Sequence, residues 1–301
     1  MNRDWIAIDW GTSNFRAFLM QQGSKTAQIS QPCGLLNVTG SQFEATLEGL
    51  LRPWLDTHGA LAVVMAGMVG SQQGWKEVPY TKVPCKGETL AALAHTFTTR
   101  WGSKTWIVPG LSTISQFEQP DAMRGEEVQL LGLAKRCPAD SHFALLPGTH
   151  SKHATLKNGA ITAFSTFMTG ELFSVLTQHS LLGRALPAQQ DSQAAFLKGV
   201  DTALHDVPFS HLIFSARTRR LNKDIADSWI HSYLSGLLIG YELRTLPGDQ
   251  PIWIVGNPSL IERYQLAAGV MKQRLYPADG DDCFLCGLGD IATSLFKGRD
   301  S

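Results

Sequence analysis

Two short stretches of this chain carry the residue types that hold polyphosphates. In residues 6–19 an apolar run ends in Asp9, turns through Gly11-Thr12-Ser13 and resumes as an apolar run at Phe15. A strand–turn–strand unit of this kind brings backbone N–H groups and two hydroxyls to one edge. Gly11 lets the backbone approach phosphate oxygens closely. Asp9, at the strand tip, is placed to hold a hydrated Mg²⁺ against the same phosphates. Residues 143–152 repeat the layout: an apolar run, a Gly148-Thr149 turn and a polar resumption through Lys152. Each copy then meets a further turn, Gln22-Gly23 in one and Asn158-Gly159 in the other, and a third strand-like run. Aligning Gly11 with Gly148 sets Leu146 opposite Asp9, so only the first copy offers a carboxylate to a metal. A duplicated unit in each half predicts two lobes gripping one nucleotide.

The elements that must position these turns follow from periodicity. Apolar spacing predicts a helix over residues 43–54 and a buried strand over 61–66. The strand leads into a glycine-rich loop, 67–75, and a further strand at 105–108 closes the first lobe. A helix over 123–136 carries Arg124, Glu126 and Glu127 in its first turn, where capping alone would also favour the acids. The second lobe starts near Ser141, with a strand over 161–167 and a helix after Met168-Thr169-Gly170-Glu171. Residues 181–221 read as mostly helical with breaks at Pro187 and Pro208. A long helix spans 225–245, and its Gly236 and Gly240 point first to close helix packing. The last clear strand is 251–255, followed by a Gly256-Asn257 turn, a helix over 260–274 and another over 282–296. Strands alternating with helices predict an α/β protein with mixed sheets.

Bulk properties narrow the function classes. The 301 residues suit two domains, and 26 Lys plus Arg balance 26 Asp plus Glu. Nothing in that balance calls for nucleic acid. The longest strongly apolar run, 60–69, is too short to cross a bilayer, and residues 1–4 lead into the first strand without a signal-peptide core. A cytoplasmic protein with reduced thiols is expected. Cys283 and Cys286 form a C-x-x-C at the start of an apolar helix, and packing is the expected role. His150 and His153 read as incidental. The P-loop pattern G-x-x-x-x-G-K-[ST] and the G-x-S-x-G elbow are absent.

The two hairpins, with the late strand–Gly256-Asn257–helix, resemble the phosphate-1, phosphate-2 and adenosine elements of actin/hexokinase-like ATPases. The finer resemblance is to the 2-dehydro-3-deoxygalactonokinase family. It runs through residues 9–16, 65–71 with Gly74-Trp75, 123–127, 147–152, 168–172 and 234–240, in order over nearly the whole chain. That family commonly carries a tryptophan after the lysine of the second turn. Here the position is His153, which is expected to alter packing near the phosphates rather than the activity.

The resemblance implies two lobes of a duplicated ribonuclease-H-like, actin-like fold with an ATP cleft between them. The expected division is 1–120 and 141–301, with 121–140 as an interlobe helix. It also implies ATP- and Mg²⁺-dependent phosphorylation of 2-dehydro-3-deoxy-D-galactonate at O6, in galactonate breakdown. Asp9 would orient the metal, while Gly11, Thr12, Ser13, Gly148 and Thr149 hold phosphates. Lys152 or Arg16 would stabilise the transferring group. Glu126 or Glu127 would take the proton of the primary hydroxyl. Arg124 would hold the substrate carboxylate, with Arg16, Gly67, Met68, Ser71 and Trp75 beside the sugar. Gly236, Gly256 and Asn257 would lie near adenine. A kinase for another keto-deoxy acid, a phosphohydrolase and a nucleotide-dependent regulatory module are the competing readings. The partner is a small sugar acid, without nucleic acid or membrane, and a homo-oligomer is compatible with all of this.

Overall fold

The computed structural model describes residues 4–38, 42–248 and 250–297; Met1, Asn2 and Arg3, read above as part of the lead-in, lie outside them. The chain divides into two compact units. The first comprises Met1–Ser141, Ala154–Ser165 and Gly280–Ser301, and the second His142–His153 and Thr166–Asp279.

The first unit is built on β1 (Trp5–Trp10), β2 (Phe15–Gln21), β3 (Ser24–Gln31), α1 (Phe43–His58), β4 (Ala62–Ala66), β5 (Thr81–Lys82), α2 (Gly87–Leu93), β6 (His95–Thr98), β7 (Lys104–Ile107), β8 (Leu111–Ile114), β9 (Pro120–Met123) and α3 (Glu126–Arg136). Its main sheet runs β3-β2-β1-β4-β7-β6, and a small second sheet runs β5-β8-β9. β1 pairs antiparallel with β2 and parallel with β4, so the sheet is mixed. Central strand β4 is buried on both faces, which its unbroken Ala-Val-Val-Met-Ala run allows. Ile6, Ile8, Trp10, Leu47 and Leu51 are fully buried in the core between the sheet and α1.

β10 (Ser141–Leu146), β11 (Ser151–Lys157) and β12 (Ala160–Phe167) follow, then α4 (Thr169–His179), α5 (Gln193–Ala203), α6 (Phe209–Leu221), α7 (Ile230–Leu243), β13 (Ile252–Gly256), α8 (Pro258–Val270), β14 (Leu275–Asp279) and α9 (Gly280–Lys297). The sheet order β12-β11-β10-β13-β14 repeats β3-β2-β1-β4-β7 element for element. The duplication read from two turns therefore extends to whole sheets.

Several boundaries differ from the sequence-based expectation. Met123 ends β9, and α3 begins only at Glu126, after Gly125 turns the chain at φ +110°. A short 3₁₀ turn over Asp227–Trp229 precedes α7, which starts at Ile230. β14 follows the strand expected to be last; its Pro277 disguised it, since proline suits only an edge strand. The units also do not follow chain order. α9 belongs with the first unit because it packs on α3 at glycines. A Cβ on Gly132 would come within 1.8 Å of the Cys283 carbonyl, and one on Gly287 within 2.0 Å of the Val128 carbonyl. Cys283 is fully buried at that contact.

Candidate active site

In the first unit, β1 and β2 place the Gly11–Asn14 turn at a sheet edge, with Thr12 and Ser13 exposed. The Gly11 N–H closes the turn on Asn14 O at 2.9 Å, so it is used internally. The turn's carbonyls are in turn held by a following segment. Gly34 N–H donates to Ser13, Leu35 N–H to Gly11 and Leu36 N–H to Thr12. Gly34 has to be glycine, because a Cβ there would stand 2.3 Å from Thr12 O. Asp9 pairs with Arg16 across the hairpin, and Arg16 also pairs with Asp281 at the start of α9. Arg16 is thus engaged by two carboxylates.

The loop after β4 comes close to Asp9. Gly67 sits at φ +98°, and a Cβ there would be 2.7 Å from Trp10 O and 3.2 Å from Asp9 Oδ1. Gly125 backs onto it, 3.3 Å from a Cβ position to the Gly67 Cα. Glycine at both places lets the start of α3 reach the Asp9 edge. Met68 begins a 3₁₀ turn, and Ser71 is buried behind it. Trp75, half-buried, packs edge to face on Phe97, with centroids 4.8 Å apart, and lies against the hydrophobic core.

Arg124 is buried, with its guanidinium 4.3 Å above the Tyr80 ring. One Nη2 hydrogen goes to Val78 O at 2.7 Å. Gly70 makes room for it: a Cβ there would be 2.8 Å from Arg124 Nη1. Five buried side-chain polar atoms lack a hydrogen-bond partner among the described residues, and four belong to this loop and helix start: Ser71 Oγ, Arg124 Nε, Arg124 Nη1 and Glu127 Oε1. The fifth is Gln273 Oε1. Unpaired buried polar groups are costly in a folded protein, so a cluster of them calls for a physical reason.

Glu126 and Glu127 are not equivalent. Glu126 Oε2 accepts from the Arg124 N–H at 3.1 Å, and Glu127 Oε2 from the Gly125 N–H at 2.6 Å, so both brace the turn that leads into α3. Glu127 is fully buried. Burial first, and the charge on Glu126 second, push its carboxyl up to about 8. Glu127 therefore keeps its proton at neutral pH.

In the second unit a cavity of about 570 Å³ opens beside the second turn. Gly148 and Thr149 lie at it, with Thr169 and Gly170 of α4, Phe173, His231 of α7 and Arg263 of α8. That volume suits a small-molecule site. Gly170 packs directly on the turn, since a Cβ there would be 2.5 Å from Gly148 O. Burial pulls the His231 ring below the ordinary histidine value, which keeps it neutral. Lys152 is buried, with Nζ donating to His150 O at 3.1 Å, and His150 pairs with Glu171.

The sequence-based adenine residues stand elsewhere. Gly236 packs against α5, where a Cβ would meet Phe196 O at 1.9 Å, so its smallness serves helix contact. Asn257 caps α8 by accepting from the Leu260 N–H, and Gly256 lies against Pro147. None of the three lines the cavity. Gln189, Gln190 and Arg263, which do line it, went unremarked in the sequence. His153, read there as incidental, is buried against Glu242.

The sequence profile of the 2-keto-3-deoxy-galactonokinase family matches residues 9–291. The chain belongs to that family. A 2-dehydro-3-deoxygalactonokinase of Escherichia coli (strain K12) is 35% identical over 303 residues, covering 98% of this chain and 99% of the relative. The crystal structure of a Sinorhizobium meliloti protein named for the same kinase has a TM-score of 0.87 at 32% identity, covering 97% of this chain and 99% of that one. An activator of a 2-hydroxyisocaproyl-CoA dehydratase from Clostridium difficile, solved with bound ADPNP, shares the fold at a TM-score of 0.53 and 11% identity. This chain of the 2-keto-3-deoxy-galactonokinase family is a phosphotransferase with an alcohol acceptor, and its α/β fold with mixed sheets is shared with that activator. Among the described residues no helix is long and apolar enough to cross a membrane.

Proposed function

We propose that the protein transfers the γ-phosphoryl group of ATP to the C6 hydroxyl of 2-dehydro-3-deoxy-D-galactonate, in the cytoplasm, as a step of galactonate breakdown. The observation that carries this reading is the cluster of partnerless buried atoms on Ser71, Arg124 and Glu127. A small acid with several hydroxyls completes it. Its carboxylate meets Arg124, whose planar fork is made for two parallel hydrogen bonds. A hydroxyl meets Ser71.

Asp9, a single carboxylate beside exposed hydroxyls, suits Mg²⁺, which takes one or two protein carboxylates and otherwise phosphate and water. When bound, that ion would offset the charge developing in phosphoryl transfer. Arg16, spanning Asp9 and Asp281, orients the Asp9 carboxylate in preference to touching the sugar. Thr12, Ser13, Gly148 and Thr149 hold phosphate oxygens, and Lys152 adds positive charge behind the second turn. Glu126, beside a Glu127 that keeps its own proton, accepts the proton from the C6 hydroxyl. Glu127 stays protonated and fixes the Gly125 turn. The cavity of the second unit takes the nucleoside.

A coupled ADP-release assay over a panel of 2-keto-3-deoxy acids tests this reading, with the phosphorylated carbon located by NMR. The expected result is ADP release with the galactonate-derived acid and phosphate on C6. ATP hydrolysis that no acid on the panel stimulates overturns it.

A further inference from the structure

Glu242 is a carboxylate almost without solvent contact, on α7 of the second unit. A charge in such a place must be compensated by hydrogen bonds. His153 Nε2 donates to its Oε1 at 2.9 Å. Its Oε2 accepts from Thr169 Oγ1 and, at 2.8 Å, from the Tyr264 hydroxyl.

The partners continue outward in one direction. Tyr264 gives its hydrogen to Glu242, so at 3.0 Å it accepts from Ser151 Oγ. Ser151 has then spent its own hydrogen, and its oxygen accepts from the Gly148 N–H at 3.4 Å. Burial first, and the Glu242 charge second, push the Tyr264 hydroxyl well above its ordinary value, which keeps it a donor. On the other branch, Thr169 begins α4, whose Gly170 packs on Gly148 and Thr149. The Glu171 N–H donates to Thr149 O at 3.0 Å. Both flanks of the Gly148–Thr149 turn thus trace back to one buried carboxylate.

We propose that Glu242 is the positioning residue of the second phosphate turn: by gathering Tyr264 and Thr169 it fixes Gly148 and Thr149 in the geometry that receives the nucleotide phosphates. The proposal rests on the reading that this turn holds ATP. Glu242 acts through other residues and touches no substrate. His153 supplies the third donor to the carboxylate.

The test compares the full-length enzyme with Glu242→Gln and Tyr264→Phe. Each is a near-isosteric change that weakens the chain of donors without opening a cavity. Charge-assisted hydrogen bonds of this kind govern effects of about tenfold to a hundredfold. The expected result is an increase of that size in KM for ATP, or an equal fall in kcat, with KM for the sugar acid unchanged and the melting temperature within a few degrees of the parent. A variant that unfolds is replaced by Ser151→Ala, which cuts the same chain nearer the turn. Folded variants with parental KM for ATP and parental kcat would make Glu242 merely structural and overturn the proposal. Amide exchange of residues 147–152 in the parent, with and without ADP, separates the two readings. Protection by ADP alongside unaffected variants removes only the role of Glu242. Absence of protection removes the nucleotide reading and this proposal with it.

Discussion

In the first Gly-Thr turn the carbonyls of Gly11, Thr12 and Ser13 are taken by the N–H groups of Leu35, Leu36 and Gly34, backbone against backbone. In the second, one backbone bond, from the Glu171 N–H to Thr149 O, is joined by a chain of side chains, Ser151, Tyr264, Thr169 and Glu242. The sheets beneath them have the same strand order, so the difference is not one of architecture. Backbone bracing leaves the first turn's side chains for chemistry: two exposed hydroxyls and Asp9. Side-chain bracing commits the second turn's polar residues to structure and leaves its backbone facing the cavity. The polar groups contrast in the same way. Ser71, Arg124 and Glu127 carry unpartnered atoms in the first unit, whereas Glu242 has three donors in the second.

The largest expected effect comes from breaking the first turn's chemistry without touching its bracing. Asp9→Asn keeps the shape and removes the charge that suits a metal, so turnover in the coupled ADP-release assay should be almost abolished while the fold persists. Substantial turnover with Asp9→Asn would place the metal, and the division of labour between the turns, elsewhere. Next comes Glu126→Gln, which removes the proposed base. General-base assistance is worth about 10²–10⁴-fold, so kcat should fall by that order with little change in KM for ATP. A drop confined to Glu127→Gln instead would reverse the assignment within the pair.

A smaller effect tests the bracing itself. Gly34→Ala forces a Cβ to within 2.3 Å of Thr12 O, backbone against backbone, so the segment must shift. Overpacking of that kind typically costs about 1–3 kcal/mol, read as a lower urea midpoint together with weaker turnover. Gly148→Ala meets nothing within 4 Å and should fold as stably as the parent. Equal loss in both would mean that the two turns are held alike.

Much of this arrangement was legible in the residues, and the parts that were not share a cause. Asp9, Gly11 and Gly148 stood out because turn chemistry is local: an acid at a strand tip and glycine at a tight bend are visible within a few residues. The duplicated sheet order followed from the repeated turns. Asp281 was invisible, since its contact with Arg16 spans 265 positions and its neighbourhood reads only as acids at a helix start. Glu242 was hidden similarly, a lone acid in an apolar helix whose three donors come from three other elements. Gly34 has no local signature, because what it must avoid is the backbone of Thr12. Gly236 looked functional because small residues at helical spacing serve close packing and ligands alike. β8 and β9 escaped notice through their shortness, four residues each.

The mildest prediction concerns Glu127, whose carboxyl has an ordinary value of 4.5 and is raised to about 8 in the fold. Below pH 4.5 both folded and unfolded chains carry this proton, and above about 8 neither does, so its contribution to stability is flat in both ranges. Between those limits the unfolded chain has released the proton and the folded chain has kept it. The folded state then binds more protons, and stability falls as pH rises, by up to about 1.4 kcal/mol per pH unit. Glu127→Gln keeps a neutral, similarly shaped group and removes that dependence. Its kcat should stay within a few-fold of the parent, because the proposed base is its neighbour. Its urea midpoint should gain on the parent steadily from pH 4.5 to 8, and parallel curves would show that Glu127 does not hold its proton there. The charge on Glu126 is the second cause of the shift, so in Glu126→Gln the window should close from its upper end. One pair of titration curves thus separates the residue that moves a proton from the residue that keeps one.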